Sequence, residues 1–481
     1  MAMPPVPSKQ LPIVIQGGMG VAVSSWKLAN EVSRRGQLGV VSGTALDAVL
    51  ARKLQDGDAG GHVRRAMDHF PVPGIAQRVL ETYYLPNGRK PHQPYRPLPD
   101  LTVDPSPEFI ELSLVGNFVE VWLAKQGHAG VVGINLLEKI QSAILSATLG
   151  AMLADVDYVL MGAGIPKQMP QLLRDFAAGR PGHYLIEVEG ATSEYQAVLD
   201  PRQHLGDVAD RLNRPDFIAI IAQHILASYL ARDDRIRPEG FVVEGPHAGG
   251  HSAPPRGKLA LDDDGDPIYG PKDDANLAAM VGVGLPFWLA GGYTTPEMVA
   301  KALDAGAQGV QVGTLFALSK ESGLAPELRA QLLQELAAGT LHVRNDPRAS
   351  PTGFPFKIAN LAGTLSEEAE YQARNRICDL GYLRRPYQRP DGTIGYRCAS
   401  EPVNMYLKKG GDIDETVGRK CLCNSLMANV GFGQLRKDGY IEQAAVTLGQ
   451  DVSGALELLE LYPQGYTGGQ AVEWLLSGVE G

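Results

Sequence analysis

Short apolar runs closed by glycine alternate with amphipathic stretches over the first 320 residues. The runs at 11–16 (LPIVIQ), 38–42 (LGVVS), 130–135 (GVVGIN), 157–161 (DYVLM), 217–222 (FIAIIA), 241–244 (FVVE), 286–290 (PFWLA) and 309–312 (GVQV) are apolar nearly throughout. They do not alternate apolar with polar, so they predict strands covered on both faces. Helical patterns follow most of them: 24–35, with Ser24 or Ser25 as N-cap, then 136–154, 170–178, 296–305 and the stretch after Gly313. Eight strand–helix units over this length predict an α/β chain closed into a TIM (β/α)8 barrel rather than an open sheet.

Three stretches break the rhythm. Residues 44–127 are rich in proline and aromatics (FPVPG, YYLPNGRKPHQPYRPLP) and follow the second strand. That position predicts a large insertion at the C-terminal face of the barrel, acting as a lid or substrate segment. Residues 183–189 and 194–199 read as a hairpin inserted before the fifth strand. From 324 onward the barrel is complete. The expected organisation is therefore a barrel from 1–43 and 128–323, an inserted segment at 44–127, and a mainly helical, Cys-bearing C-terminal extension at 324–481.

Composition narrows the class. A chain of 481 residues exceeds what one core usually organises, which fits a large domain with additions. With 44% apolar and 20% charged residues the composition is that of a globular protein. No apolar stretch is long enough to span a membrane, and the proline-rich arm at 2–12 lacks a secretory pattern, so a cytoplasmic protein is expected. The net charge of −10 argues against nucleic acid or an anionic membrane as main partner. Four cysteines make no disulfide framework, yet Cys378, Cys398, Cys421 and Cys423 all fall in the last quarter. The Cys421-x-Cys423 pair favours a tetrahedral thiolate site, whereas the wide remaining spacings favour buried, inert thiols. Both readings stay open, and no metal ligand is assigned.

Glycines mark where the chemistry should lie. They end strand one (Gly17-Gly18-Met19-Gly20), strand four (Gly162-Ala163-Gly164), strand six (Gly245 to Gly250), strand seven (Gly291-Gly292) and strand eight (Gly313-Thr314). Glycine lets backbone N–H groups approach a ligand, and such turns after strands seven and eight are where this barrel holds phosphate. A tight turn would account for any one of them; five on one rim point to a ligand. A Rossmann site is excluded, because Val23 stands where the third glycine of G-x-G-x-x-G belongs and Ser42-Gly43-Thr44 offers no acid for a ribose.

The string FVVEGPHAGGH from Phe241 resembles the strand-six signature of the nitronate monooxygenases, formerly 2-nitropropane dioxygenases, shared with the related FMN-dependent enoyl-ACP reductases. IVIQGGMG, VGINL (132–136), VLMGAGIP (159–166) and PFWLAGGYTTPEMVAKALDAGAQGVQVGTLF (286–316) follow the same family in order. The resemblance covers the barrel and leaves 44–127 and the extension poorly matched. It implies an FMN-dependent oxidoreductase. Gly18 and Met19 would lie against the flavin ring, Asn135 at its polar edge, and Gly164 in the ring pocket. Gly249 and Gly250 would border the cofactor; Gly291, Gly292, Gln311, Val312, Gly313 and Thr314 would hold the ribityl phosphate. His251 matches the family's catalytic histidine. Pro246-His247 and Gln223 depart from the family pattern, which leaves the substrate open.

Chemistry also favours His251, since abstraction of a nitroalkane α-proton needs a base titrating near neutrality, as an unperturbed imidazole does. A scaffold histidine is the bland alternative. His247 and His251 have the i,i+4 spacing of a zinc helix, but the intervening glycines and the missing acid of H-E-x-x-H exclude metal. The following segment, 252–274, carries a DDDGD hairpin turn and could cap the pocket, with Tyr269 and Lys272 as substrate contacts. The expected activity is oxidation of nitronates or nitroalkanes with O2; the alternative is NAD(P)H-dependent reduction of an enoyl thioester. The expected partners are a small-molecule substrate, O2 or NAD(P)H as second substrate, and a second copy of the chain in a homodimer.

Overall fold

The computed structural model describes residues 11–479; most of the proline-rich arm lies outside the described residues. Eight parallel strands close into a barrel: β1 (Val14–Gln16), β2 (Leu38–Ser42), β3 (Val132–Leu137), β4 (Tyr158–Gly162), β5 (Asp216–Ile221), β6 (Gly240–Glu244), β7 (Phe287–Ala290) and β8 (Gly309–Val312). Each strand pairs with its neighbours in sequence order, and β1 closes on β8 with Val14 opposite Val310. All eight fall where the apolar runs predicted.

The runs lack alternation because both faces are buried. Along β2, Leu38 and Val40 join Ile15, Leu160, Ile218, Val242 and Trp288 in the barrel interior. The next residue, Val41, packs outward into the larger core beneath the helices. Side chains still alternate inside and outside, but each face meets apolar partners. Trp288 is fully buried, and its indole Nε1 donates to the Pro12 carbonyl at 2.8 Å. Ser25 is the N-cap residue of the Trp26–Arg34 helix as expected, but its hydroxyl donates to the Glu321 carbonyl instead of capping. Among the described residues no helix is long and apolar enough to cross a membrane.

Segment 44–127 differs from its expectation as a lid. It forms four helices, Leu46–Gln55, His62–Met67, Pro73–Tyr83 and Pro107–Ala124. The last joins the layer around the barrel, packed on Leu46–Gln55 and on Ile144–Leu153. Gly116 and Gly150 allow these contacts, since a Cβ on either would stand 2.5 Å from a neighbouring carbonyl oxygen. Pro107–Ala124 is buried nearly all round, against the barrel and among neighbouring helices, not over a site.

The hairpin before β5 pairs Gly182–Ile186 antiparallel with Tyr195–Leu199. The extension is helical with two short ribbons, Val343–Asp346 with Phe356–Ala359 and Arg385–Gln388 with Ile394–Arg397. It folds back over the barrel. The Gly468–Leu476 helix, opened by a Thr467/Gln470 capping box, packs on Trp26–Arg34 and Pro296–Asp304. Tyr382 donates to the buried Asp47 carboxylate at 2.6 Å, joining the extension to the Leu46–Gln55 helix.

Candidate active site at the barrel rim

The loops leaving the C-terminal ends of the strands surround one cavity of about 470 Å³. That lies within the ~300–1,000 Å³ typical of small-molecule sites. Gly18, Met19, Asn135, Gly164, Gly249, Gly250, His251, Gly291, Gly292, Gln311, Val312, Gly313 and Thr314 all line it. The structure thus brings every residue singled out for the cofactor and for catalysis to one place. Tyr269 also lines the cavity, donating to the Ala253 carbonyl at 2.8 Å; Lys272 is exposed and outside it. Of segment 44–127 only Thr44 and Ala45 reach the lining.

The glycines are required by close approach. A Cβ on Gly18 would stand 2.3 Å from the Asn135 Cβ. Gly291 has φ +89° and nests against Gly245 and the Ala248 nitrogen, where a Cβ would come within 2.9 Å. Ala163, between Gly162 and Gly164, is held at φ +62°, a conformation non-glycine residues seldom adopt. Thr295 caps the Pro296–Asp304 helix that follows Gly291-Gly292, its side chain accepting from Met298 N. Two buried amide oxygens of the lining, Asn135 Oδ1 and Gln311 Oε1, have no hydrogen-bond partner. Unsatisfied buried polar atoms of this kind call for a ligand or water.

The opposite wall comes from the extension. Lys357, fully buried, donates from Nζ to the Pro246 carbonyl at 2.7 Å and the Ser252 hydroxyl at 2.6 Å, beneath the glycine–histidine loop. The Thr447 hydroxyl accepts from Gly250 N at 2.9 Å, and Gly249 lies against the Leu448–Gly449 backbone. Gly449 N donates to Thr314 Oγ1 at 2.8 Å, and Asp451 accepts from Thr294 Oγ1 at 3.0 Å. Thus residues 447–451 run along the rim between the β6, β7 and β8 turns. Phe354, Phe356, Leu383, Leu422 and Leu426 complete an apolar side.

His251 forms a bridge with Phe356 and packs edge-on against its ring at 4.8 Å. Its Nε2 pairs with Ser350 Oγ at 2.7 Å, with Thr352 Oγ1 at 3.4 Å. Burial, reinforced by the Lys139 charge, lowers its pKa to about 3. The expectation of an imidazole titrating near neutrality is therefore corrected: the ring is neutral at pH 7 and a weak base, because desolvation disfavours its cation. Around it, burial pushes Glu244 up to about 7, opposed by Lys357 and Lys139. Burial lowers Lys139 to about 8, opposed by Glu244, and Lys357 to about 8, opposed by Glu244 and Asp266. The Lys139 ammonium also stands 3.8 Å over the Phe354 ring.

Lys139, Glu244, Ser350, Lys357 and the 447–451 segment were not foreseen. Glu244 carried a signal, as an acid ending an apolar strand run, and Lys139 follows VGINL by three positions. Gln223 lines the cavity and donates to the Asp273 carbonyl at 2.6 Å.

The family model for nitronate monooxygenase matches residues 211–350, from the approach to β5 through the loop bearing Ser350. The resemblance read from FVVEGPHAGGH is thereby met by an independent match. A curated relative, the (3aS,4S,5R,7aS)-5-hydroxy-7a-methyl-1-oxo-octahydro-1H-indene-4-carboxyl-CoA dehydrogenase of Mycobacterium tuberculosis, is 31% identical over 156 residues, 31% of this chain. The match spans 38% of that relative's length. Among solved structures, FabK from Thermotoga maritima aligns over 97% of this chain and 92% of its own at 16% identity, TM-score 0.45. A nitroalkane oxidase from Streptomyces ansochromogenes aligns over 97% and 95% at 14% identity, TM-score 0.45.

Proposed function

We propose that the chain is a flavin-dependent oxidoreductase that holds FMN in the rim cavity and oxidises alkyl nitronates with O2. The observation that carries this is the convergence of five glycine-ended turns on one cavity that also contains His251 and two unpartnered amide oxygens. The nitronate monooxygenase match over 211–350 supports it.

The residues fit the cofactor. Asn135 and Gln311 have free hydrogen-bonding capacity for a ring edge that both donates and accepts. The turns at Gly291-Gly292 and Gly313-Thr314 line the cavity, where a phosphate would be held. When bound, the flavin supplies the electron transfer and the oxygen chemistry. Lys139, with its charge retained near neutral pH, attracts an anionic substrate to the cavity. Neutral His251, its Nε2 fixed by Ser350, offers a hydrogen bond rather than a strong base. A nitronate has already lost its α-proton and needs no base, so this favours nitronates over their parent nitroalkanes. The four unpaired thiols fit a cytoplasmic location.

Anaerobic mixing with ethylnitronate or propionate-3-nitronate tests the assignment. The expected result is bleaching of the bound flavin; a flavin that stays fully oxidised rejects it.

A second activity has specific support. The apolar side formed by Phe354, Phe356, Leu383, Leu422 and Leu426 suits a larger acyl group, and the curated relative is named for a carboxyl-CoA substrate. An NAD(P)H-dependent enoyl-thioester reductase would be bleached by NADPH and reoxidised by a crotonyl thioester. Indifference to both nicotinamides removes this alternative.

A further inference from the structure

We propose that Cys378, Cys398, Cys421 and Cys423 hold a thiolate-bound metal centre in the C-terminal extension, independent of the flavin cavity's chemistry. These four are all the cysteines of the chain, and none is in a disulfide. Though up to 45 positions apart, they line one small hollow of about 10 Å³. Chance burial of inert thiols does not require that convergence.

Burial raises the pKa of all four thiols, so a metal would displace their protons as it binds. The Asn424 side-chain amide donates to Cys421 Sγ at 3.6 Å, the kind of outer partner that metal-bound cysteine uses. Positive charge is in place as well. Arg374 is buried near Cys398 and Cys421, and its Nε and Nη1 have no hydrogen-bond partner. A buried guanidinium left partly unsatisfied is costly unless counter-charge is supplied, and metal-bound thiolates supply it.

Two occupants share this donor chemistry. A single zinc ion takes four sulfurs closed about one point; an iron–sulfur cluster takes four sulfurs on four separate irons. Among the described residues no three metal-binding side chains yet stand close enough to grip one ion. The sulfurs ring the hollow instead of meeting, so loading draws the thiols inward around zinc or parts the walls around a cluster. Cys423 also lines the flavin cavity, so the centre would stand directly behind its apolar wall.

The test is elemental analysis of full-length protein purified anaerobically without chelator, with zinc, iron, acid-labile sulfide and flavin measured in the same sample. About one zinc per chain, or about four irons with matching sulfide, is expected. Substituting Cys421→Ser and Cys423→Ser together should abolish that metal. Should the double variant fail to fold, the unsubstituted protein still decides. A cooperatively melting preparation that holds neither metal, and whose melting temperature is unmoved by added zinc or by iron with sulfide, overturns the proposal. Flavin content reports separately on the cavity, so failure of one assignment does not imply failure of the other.

Discussion

On its barrel side the cavity is walled by backbone; on its extension side it is walled by side chains. Gly18, Gly291 and Gly292 present bare main chain because a Cβ would collide with Asn135 or Ala248, or would need an unfavourable φ. Across from them, Lys357, Thr447 and Phe356 fix the loop at 246–252 with an ammonium, a hydroxyl and a ring. The difference suggests a division of labour. Backbone turns suit a cofactor whose shape is constant, while side chains are free to set which substrate fits beside it.

That contrast can be broken most forcefully at Gly291. Gly291→Val combines backbone strain at φ +89° with a clash on Ala248, so a loss on the order of 4 kcal/mol in chemical unfolding is expected, with flavin content near zero. A variant that retains stoichiometric flavin would mean the backbone wall is not the cofactor wall. Lys357→Met comes next. It leaves the Pro246 carbonyl and Ser252 hydroxyl without their donor and Glu244 with only Lys139 opposing it, for about 3 kcal/mol. The melting temperature should fall while any residual flavin still binds; an unchanged melting temperature would demote the extension to a mere cover.

A smaller effect sharpens the picture through pH. The folded-state pKa of His251 is depressed to about 3 from 6.5, so below pH 6.5 the unfolded chain binds a proton that the folded chain refuses. Stability is therefore lost as pH falls from 6.5 towards 3. The denaturation midpoint of His251→Asn should fall less over that window than that of the parent; parallel curves would show that the ring is not desolvated. The least effect is expected at Asp451, whose carboxylate lies beside Gly292. Asp451→Asn should tighten FMN binding by about 0.5–1 kcal/mol at low salt, and added salt should shrink the gain. No salt-dependent gain in titration would place the phosphate elsewhere.

The two walls were also unequally legible. All eight strands could be read, because an unbroken apolar run ending in glycine is the pattern that burial of both strand faces imposes. The rim glycines followed from the same ends, whereas His251 came from the family resemblance and the chemistry of imidazole. Lys357 could not be found this way. In FPFKIA it sits where a short exposed ribbon would place a solvated lysine, and only the fold turns it inward. Thr447 and Asp451 lie in a stretch without regular structure, so no periodicity marks them. Segment 44–127 misled for another reason. Its prolines and tyrosines crowd residues 83–106, drawing the eye from Pro107–Ala124, whose all-round apolar surface belongs to a buried helix. The resting protonation of His251 depends on what covers it, and its cover is the Phe356 ribbon about a hundred residues later.

The position of residues 447–451 bears on how the protein matures. Every barrel strand has been synthesised by residue 312, yet the Gly249 contact and the acceptor for the Gly250 N–H arrive only when Thr447 to Gly449 emerge. On a ribosome adding roughly 5–20 residues per second, the barrel has several seconds in which to fold with one flank missing. A ligand arriving in that interval meets an open trough, and residues 447–451 then shut it in.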